Sequence, residues 1–273
     1  MPARVDPASE AVILAGAGRA ILLQLARPQV GHGVARHSDF AENPMARLHG
    51  TLMYVYAVMA GTPADREVAQ HYVRRMHEPV HGGGAGGIPA YDARDPELQL
   101  WVAATLYDTA ILVHDRVLGH LPESRADALY ARYAALGTAL EVPAELWPEN
   151  RAAFADYWQD ATARLAVDPA IRAQSDALWS ATKAPGWVRL LMPINRFVTA
   201  DLLPPAVREA FGLRWTPRDQ RRADLLWAAV RALYPRLPVR LRTWPQRYYL
   251  GRLRRASAGT PRGPRQPQRS AGR

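Results

Sequence analysis

The residues best suited to chemistry sit in one stretch, Asn43 to Gly87, which reads NPMARLHGTLMYVYAVMAGTPADREVAQHYVRRMHEPVHGGGAGG. Five of the chain's eight histidines lie in it or just before it: His37, His49, His71, His77 and His81. His77-Glu78-Pro79-Val80-His81 matches the zinc-protease pattern H-E-x-x-H letter for letter. That pattern needs one unbroken helix, so that residues i and i+4 present both imidazoles on one face. Pro79 removes a backbone donor in the middle of it, and glycines follow at once, so the helix ends and the two-histidine geometry fails. Gly82 to Gly87 matches G-x-G-x-x-G, but a dinucleotide site requires a strand before the glycines and a helix after them. Here a helical pattern precedes and Ile88-Pro89 follows, so the glycines are read as a loop that lets backbone pass close to a neighbour.

His77 on its own has two readings. In the last turn of a helix an exposed histidine is favoured by the helix dipole and does nothing more. With Val73 one turn earlier and Met76 adjacent, the same position also suits a metal ligand. A lone histidine at a helix end beside a glycine loop has what an axial haem ligand needs. Arg47 and Thr51 lie four apart on the preceding helix and share a face. A buried arginine there calls for an anion, either an internal acid such as Asp108 or Glu78, or an acidic group of a bound molecule.

The elements that must hold these residues are helical. Ser9 to Ala26 reads as one helix capped by Ser9 or Asp6 and ended by Pro28, and residues 27–43 read as loop, with Gly31 and Gly33. Asn43-Pro44 is a cap with proline at the first helical position, opening an almost wholly apolar helix to Ala60. Thr62-Pro63-Ala64-Asp65 restarts the chain as the helix that carries His77. Gly82 to Tyr91 reads as loop. Asp95-Pro96, Asn150, Asp168-Pro169 and Thr216-Pro217 mark further helix starts, a helix spans 122–138, apolar pieces fall at 186–202 and 204–212, and 239–255 forms a last arginine-rich helix. No stretch alternates with period two and no internal repeat is present, so the fold class is all-α, a single helical domain over residues 1–255 with a disordered basic tail at 256–273.

Composition narrows the chemistry. The 273 residues are enough to bury a substantial core. There is no cysteine, which excludes disulfides, iron–sulfur clusters, thiolate-ligated haem and cysteine-rich zinc sites. The net charge of +10 is unevenly spread: from Val207 onward seventeen arginines face three acidic residues, so the rest of the chain is slightly acidic. This basicity is not read as a nucleic-acid site. The last helix, with Arg240, Arg242, Arg247, Arg252, Arg254 and Arg255 beside Trp244, Tyr248, Tyr249 and Leu250, is compatible with peripheral membrane contact, or with a solvated basic face over a packed aromatic side. The N-terminus lacks the basic start and unbroken apolar run of a signal peptide, and no stretch is a bilayer-spanning segment, so a cytoplasmic protein is expected.

The order of segments LLQLARPQVGHGVARHSDF, NPMARLHGT, RRMHEPVHG, IPAYDARDPELQLWVAATL and LLPPAVREAFGLRW, over roughly residues 10–215, resembles the catalytic-domain family of the MpaB-type oxygenases and the rubber oxygenase (latex clearing protein). The resemblance implies a globin-like helical core around a haem b pocket. It places the family's Arg-x-x-x-Thr pair on Arg47 and Thr51 and its axial histidine on His77. It implies a haem-dependent oxygenase that uses dioxygen, with His77 binding iron and Arg47 and Thr51 serving catalysis and haem binding. Rubber oxygenases carry a lysine directly before that threonine, where this chain has Gly50. With no export signal read, an isoprenoid- or lipid-like apolar molecule inside the cell is the expected substrate, rather than rubber. The alternative is a cofactor-free helical binding or scaffold protein with an apolar cavity. Oligomeric state, electron source and product are not legible in the sequence.

Overall fold

The computed structural model describes residues 5–37, 44–84, 88–180 and 184–258. Among these the only strands are the two-residue pieces β1 (His81–Gly82) and β2 (Tyr91–Asp92), and the all-α class holds. The helices are α1 (Ala17–Leu25), α2 (Pro28–His37), α3 (Pro44–Ala60), α4 (Pro63–His77), α5 (Pro96–Leu118), α6 (Glu123–Thr138) and α7 (Arg151–Ala163). They continue with α8 (Pro169–Ser180), α9 (Gly186–Leu202), α10 (Pro205–Ala210), α11 (Pro217–Leu233), α12 (Val239–Arg242) and α13 (Trp244–Ala258).

The longest helix, α5, is the axis. Asp95 caps it by accepting from the Glu97 amide, and its apolar residues run nearly all round because it is covered on several sides. On one flank α3, α6 and α13 close over an aromatic cluster that includes Tyr54, Tyr56, Tyr107, Tyr133, Trp147 and Phe154. On the other, α1, α8 and α10 enclose Trp101, Leu22, Leu23 and Ile171. Trp101 is fully buried and donates its indole N–H to the Leu23 carbonyl at 3.2 Å. Burying aliphatic side chains of this kind contributes roughly 1.5–3 kcal/mol each, which is what holds the helices together.

Four elements differ from the sequence reading. The expected loop Gly82 to Tyr91 has its two ends paired, Gly82 against Tyr91, where β1 meets β2 antiparallel. The expected helix over residues 9–26 is two 3-10 segments, Pro7–Ser9 and Ala11–Gly16, followed by α1. Asp6 caps the first, its Oδ1 accepting from the Ala8 amide at 3.1 Å. The expected loop from residue 27 is helix α2 as far as His37, because Gly31 and Gly33 serve close packing instead of a turn. A Cβ on Gly31 would lie 2.4 Å from the Leu25 carbonyl oxygen, and one on Gly33 3.3 Å from the Tyr91 ring. The last helix is broken at Thr243 into α12 and α13, with Pro245 in the first turn of α13. That helix runs to Ala258, so residues 256–258 of the tail expected at 256–273 are helical, while residues 259–273 lie outside the described residues, as does the Asn43 cap.

Candidate functional site

Helices α3 and α4 form a hairpin that places the three candidate residues. Thr62 makes the predicted capping box: its hydroxyl accepts from the Asp65 amide at 3.2 Å, and the Asp65 carboxylate accepts from the Thr62 amide at 2.9 Å. Asp65 is also gripped by Arg254 of α13, whose Nη2 donates at 2.8 Å. Arg254 and the Thr62 bonds hold the Asp65 carboxyl at about 2, well below the usual carboxylate range. From the same helix α13, the Tyr249 hydroxyl meets His49 Nδ1 of α3 at 2.8 Å. Further along, Gly50 lets α3 approach α4: a Cβ there would stand 3.3 Å from Cε1 and from the hydroxyl oxygen of Tyr72.

On this hairpin Arg47 and Thr51 lie one helical turn apart, and both side chains are exposed. The expected internal partner Asp108 belongs to another arginine: Arg19 donates to it at 2.6 Å. Burial nevertheless lowers the pKa of the Arg47 guanidinium. Arg47 is thus crowded by protein around its guanidinium while the residue keeps open surface.

His77 is the last residue of α4 and is half-buried, so it is not the exposed capping histidine that the sequence also allowed. Its Nδ1 is buried with no hydrogen-bond partner among the described residues. Burial lowers its pKa below 6.5; Glu141 and Asp92 oppose that shift, and the positive charge of Arg47 adds to it. Arg47 and His77 are therefore close enough to feel each other electrostatically, across two helices. A neutral imidazole with an unsatisfied nitrogen is chemically a ligand, because coordination requires the deprotonated ring. An unpaired buried polar atom otherwise costs about 1–3 kcal/mol.

His114 shares part of this pattern: its Nδ1 is likewise buried without a hydrogen-bond partner among the described residues, 3.7 Å from Asp115 Oδ1, and burial lowers its pKa. The remaining histidines are differently placed. His32 meets Asp168 of α8 at 2.7 Å, His37 meets the Tyr91 hydroxyl at 3.0 Å, and His71 and His81 are exposed. The H-E-x-x-H match is broken as expected: α4 ends at His77, and His81 lies in β1, paired antiparallel with Asp92. Among the described residues no group of three or more histidine or acidic side chains is arranged to hold a metal ion.

Residues 7–232 match the family described as ER-bound oxygenase mpaB/B′/Rubber oxygenase, catalytic domain. The chain belongs to that family. The MpaB/rubber oxygenase match runs from the first 3-10 turn almost to the end of α11, and it makes an oxygenase-type enzyme the coarse functional class. Two relatives are an uncharacterized protein of Mycobacterium bovis and one of Mycobacterium tuberculosis. Each is 32% identical over 239 residues, covering 86% of this chain and 93% of the relative. No solved structure matches the chain.

Sequence reasoning missed Tyr72. Its ring lies against Gly50, the position where the rubber oxygenases are expected to carry lysine. The signal was Gly50 itself, a glycine inside a helix, which costs about 1 kcal/mol relative to alanine and so implies a packing reason.

Proposed function

We propose that this protein is a haem-b-dependent oxygenase acting on an apolar, isoprenoid- or lipid-like substrate, in which His77 would hold the haem iron and Arg47 and Thr51 would help bind and orient the haem and substrate. The observation that carries the reading is the buried, unpartnered Nδ1 of a neutral, half-buried His77 that senses the charge of Arg47. The donor set fits haem. One protein nitrogen suffices when a macrocycle supplies the remaining ligands, whereas a metal held by side chains alone needs three or four.

When bound, the haem iron would supply the dioxygen chemistry. The chain's own residues supply binding and orientation. His77 offers an imidazole kept neutral by burial. Arg47 offers a fork of N–H donors suited to a carboxylate at the edge of the cofactor or to an oxygen of the substrate. Thr51, one turn along, adds a hydroxyl that donates and accepts. Gly50 brings no ammonium group to this face, so the lysine of the rubber oxygenases has no counterpart at that position, which favours a substrate other than rubber.

The test is the visible spectrum of protein produced with sufficient haem, followed by oxygen uptake on an unsaturated isoprenoid. A Soret band at about one haem per chain and substrate-dependent oxygen consumption are expected. A protein that stays colourless after titration with haemin would overturn the reading and favour a cofactor-free binding role.

A further inference from the structure

From Leu225 to Arg273 the chain contains twelve arginines and no aspartate or glutamate. Nearly all of this segment lies beyond the family match, which ends at residue 232. Within it an uncommon number of large apolar side chains face outward: Leu233 is 65% exposed, Leu237 43%, Val239 51%, Leu241 55%, Trp244 49% and Tyr248 40%. Every residue from Pro235 to Leu241 is exposed. Arg236, Arg240 and Arg247 are interleaved with these side chains and are exposed as well.

This surface is not a loose end. The buried carboxylate of Glu10 holds it in place, accepting from the Tyr234 hydroxyl at 2.8 Å and from Arg242 Nε at 3.0 Å, with a second contact from Arg242 Nη2. The Tyr234 hydroxyl accepts in turn from the Val12 amide at 3.1 Å. On the far side of α13, Tyr249, Leu250 and Leu253 are buried in the main core. The fold therefore fixes this segment from within and presents its remaining leucine, valine, tryptophan and tyrosine side chains outward.

We propose that the α11 end, α12 and the outer face of α13 form a docking surface for an anionic lipid bilayer. The chemistry matches the membrane interface point by point. Aliphatic side chains enter the boundary between headgroups and acyl chains, Trp and Tyr sit at headgroup level, and arginines meet lipid phosphates. A second copy of the chain would set like charges against each other. A nucleic acid would leave the exposed leucines and valine without an apolar partner. Among the described residues no single helix is long and apolar enough to cross a membrane; the proposed docking is through this outer face. A substrate of the proposed lipid-like class would then be taken from the bilayer, but the docking surface stands without that reading.

The test is flotation of the full-length protein with vesicles of phosphatidylcholine alone and of phosphatidylcholine and phosphatidylglycerol in equal parts. Binding to the anionic vesicles only, reversed by high salt, is expected. Leu237→Asp with Leu241→Asp should weaken it by on the order of tenfold or more, through lost apolar burial beside an added like charge. Arg240→Gln with Arg247→Gln should weaken it about fivefold per arginine removed. Circular dichroism melting checks both variants; if the aspartate pair lowers the melting temperature, the arginine pair decides. Absence of vesicle binding overturns the proposal. So does binding unchanged in the variants, which would assign it to residues 259–273, or a vesicle-free dimer that the aspartate pair dissociates, or binding to a DNA duplex in place of vesicles.

Discussion

Arg19 of α1 and Arg47 of α3 both stand on helices surrounded by apolar residues, and the fold uses them in opposite ways. Arg19 is 4% exposed. It donates to the Leu202 carbonyl at 2.8 Å, to Thr109 at 2.6 Å and to Asp108 at 2.6 Å, and it lies over the Trp158 ring. Its guanidinium is consumed in tying α1 to α5 and α9. Arg47 keeps exposed surface although burial already depresses its pKa, and it stands within electrostatic reach of a histidine that has a spare nitrogen. One arginine closes a core; the other is crowded by protein yet keeps exposed surface near the candidate histidine.

The comparison breaks first under substitution. Arg19→Met strands the mostly buried Asp108, whose pKa burial already raises against the pull of Arg19. Removing one member of such a pair costs about 3–5 kcal/mol. Arg47→Met should cost less than Arg19→Met, because Arg47 keeps exposed surface, while weakening haem retention. Urea unfolding of the two variants side by side checks this; equal losses would make Arg47 a structural residue.

The approach of the two site helices gives the next effect. Gly50→Lys forces a side chain against Tyr72 and should destabilise by about 1–3 kcal/mol. Adding Tyr72→Ala should recover part of that, and strict additivity in the double-mutant cycle would show that the two residues do not press on each other. The clamp behind the site should be worth less. Asp65→Asn keeps one acceptor of the capping box but loses the charge that holds Arg254, at about 1 kcal/mol. Its carboxyl sits at about 2 in the fold against 3.8 ordinarily. That contribution is complete above the ordinary value and is lost as pH falls from there toward about 2.

The smallest effect is a mild acid sensitivity. Burial lowers the pKa of His114 and His49 below 6.5. The unfolded chain then binds protons before the fold does, so stability falls as pH drops from about 6.5 toward the lower folded values. His114→Gln should flatten the slope of unfolding free energy against pH in that window, and an unchanged slope would assign it elsewhere.

The sequence made the helix starts legible where a side chain caps its own backbone, as at Thr62 with Asp65, Thr216 with Asp219, and Asn150. Pro79 likewise sufficed to reject the zinc geometry. What could not be read depends on distant contacts. Gly31 and Gly33 look like a loop until Leu25, Ile171 and Tyr91 are seen to press on α2. The sequence offers Asp108 as a partner for Arg47, and only the fold shows that Arg19 takes it. The orphaned nitrogen of His77 exists only because the surrounding elements bury it without offering a hydrogen-bond partner among the described residues.

The most direct measurement is the Soret spectrum of His77→Ala beside His49→Ala and His81→Ala, each titrated with haemin. His77→Ala alone should lose or strongly shift the band, while the other two keep the wild-type spectrum. A wild-type band in His77→Ala, or its loss in one of the other two variants instead, would contradict the assignment.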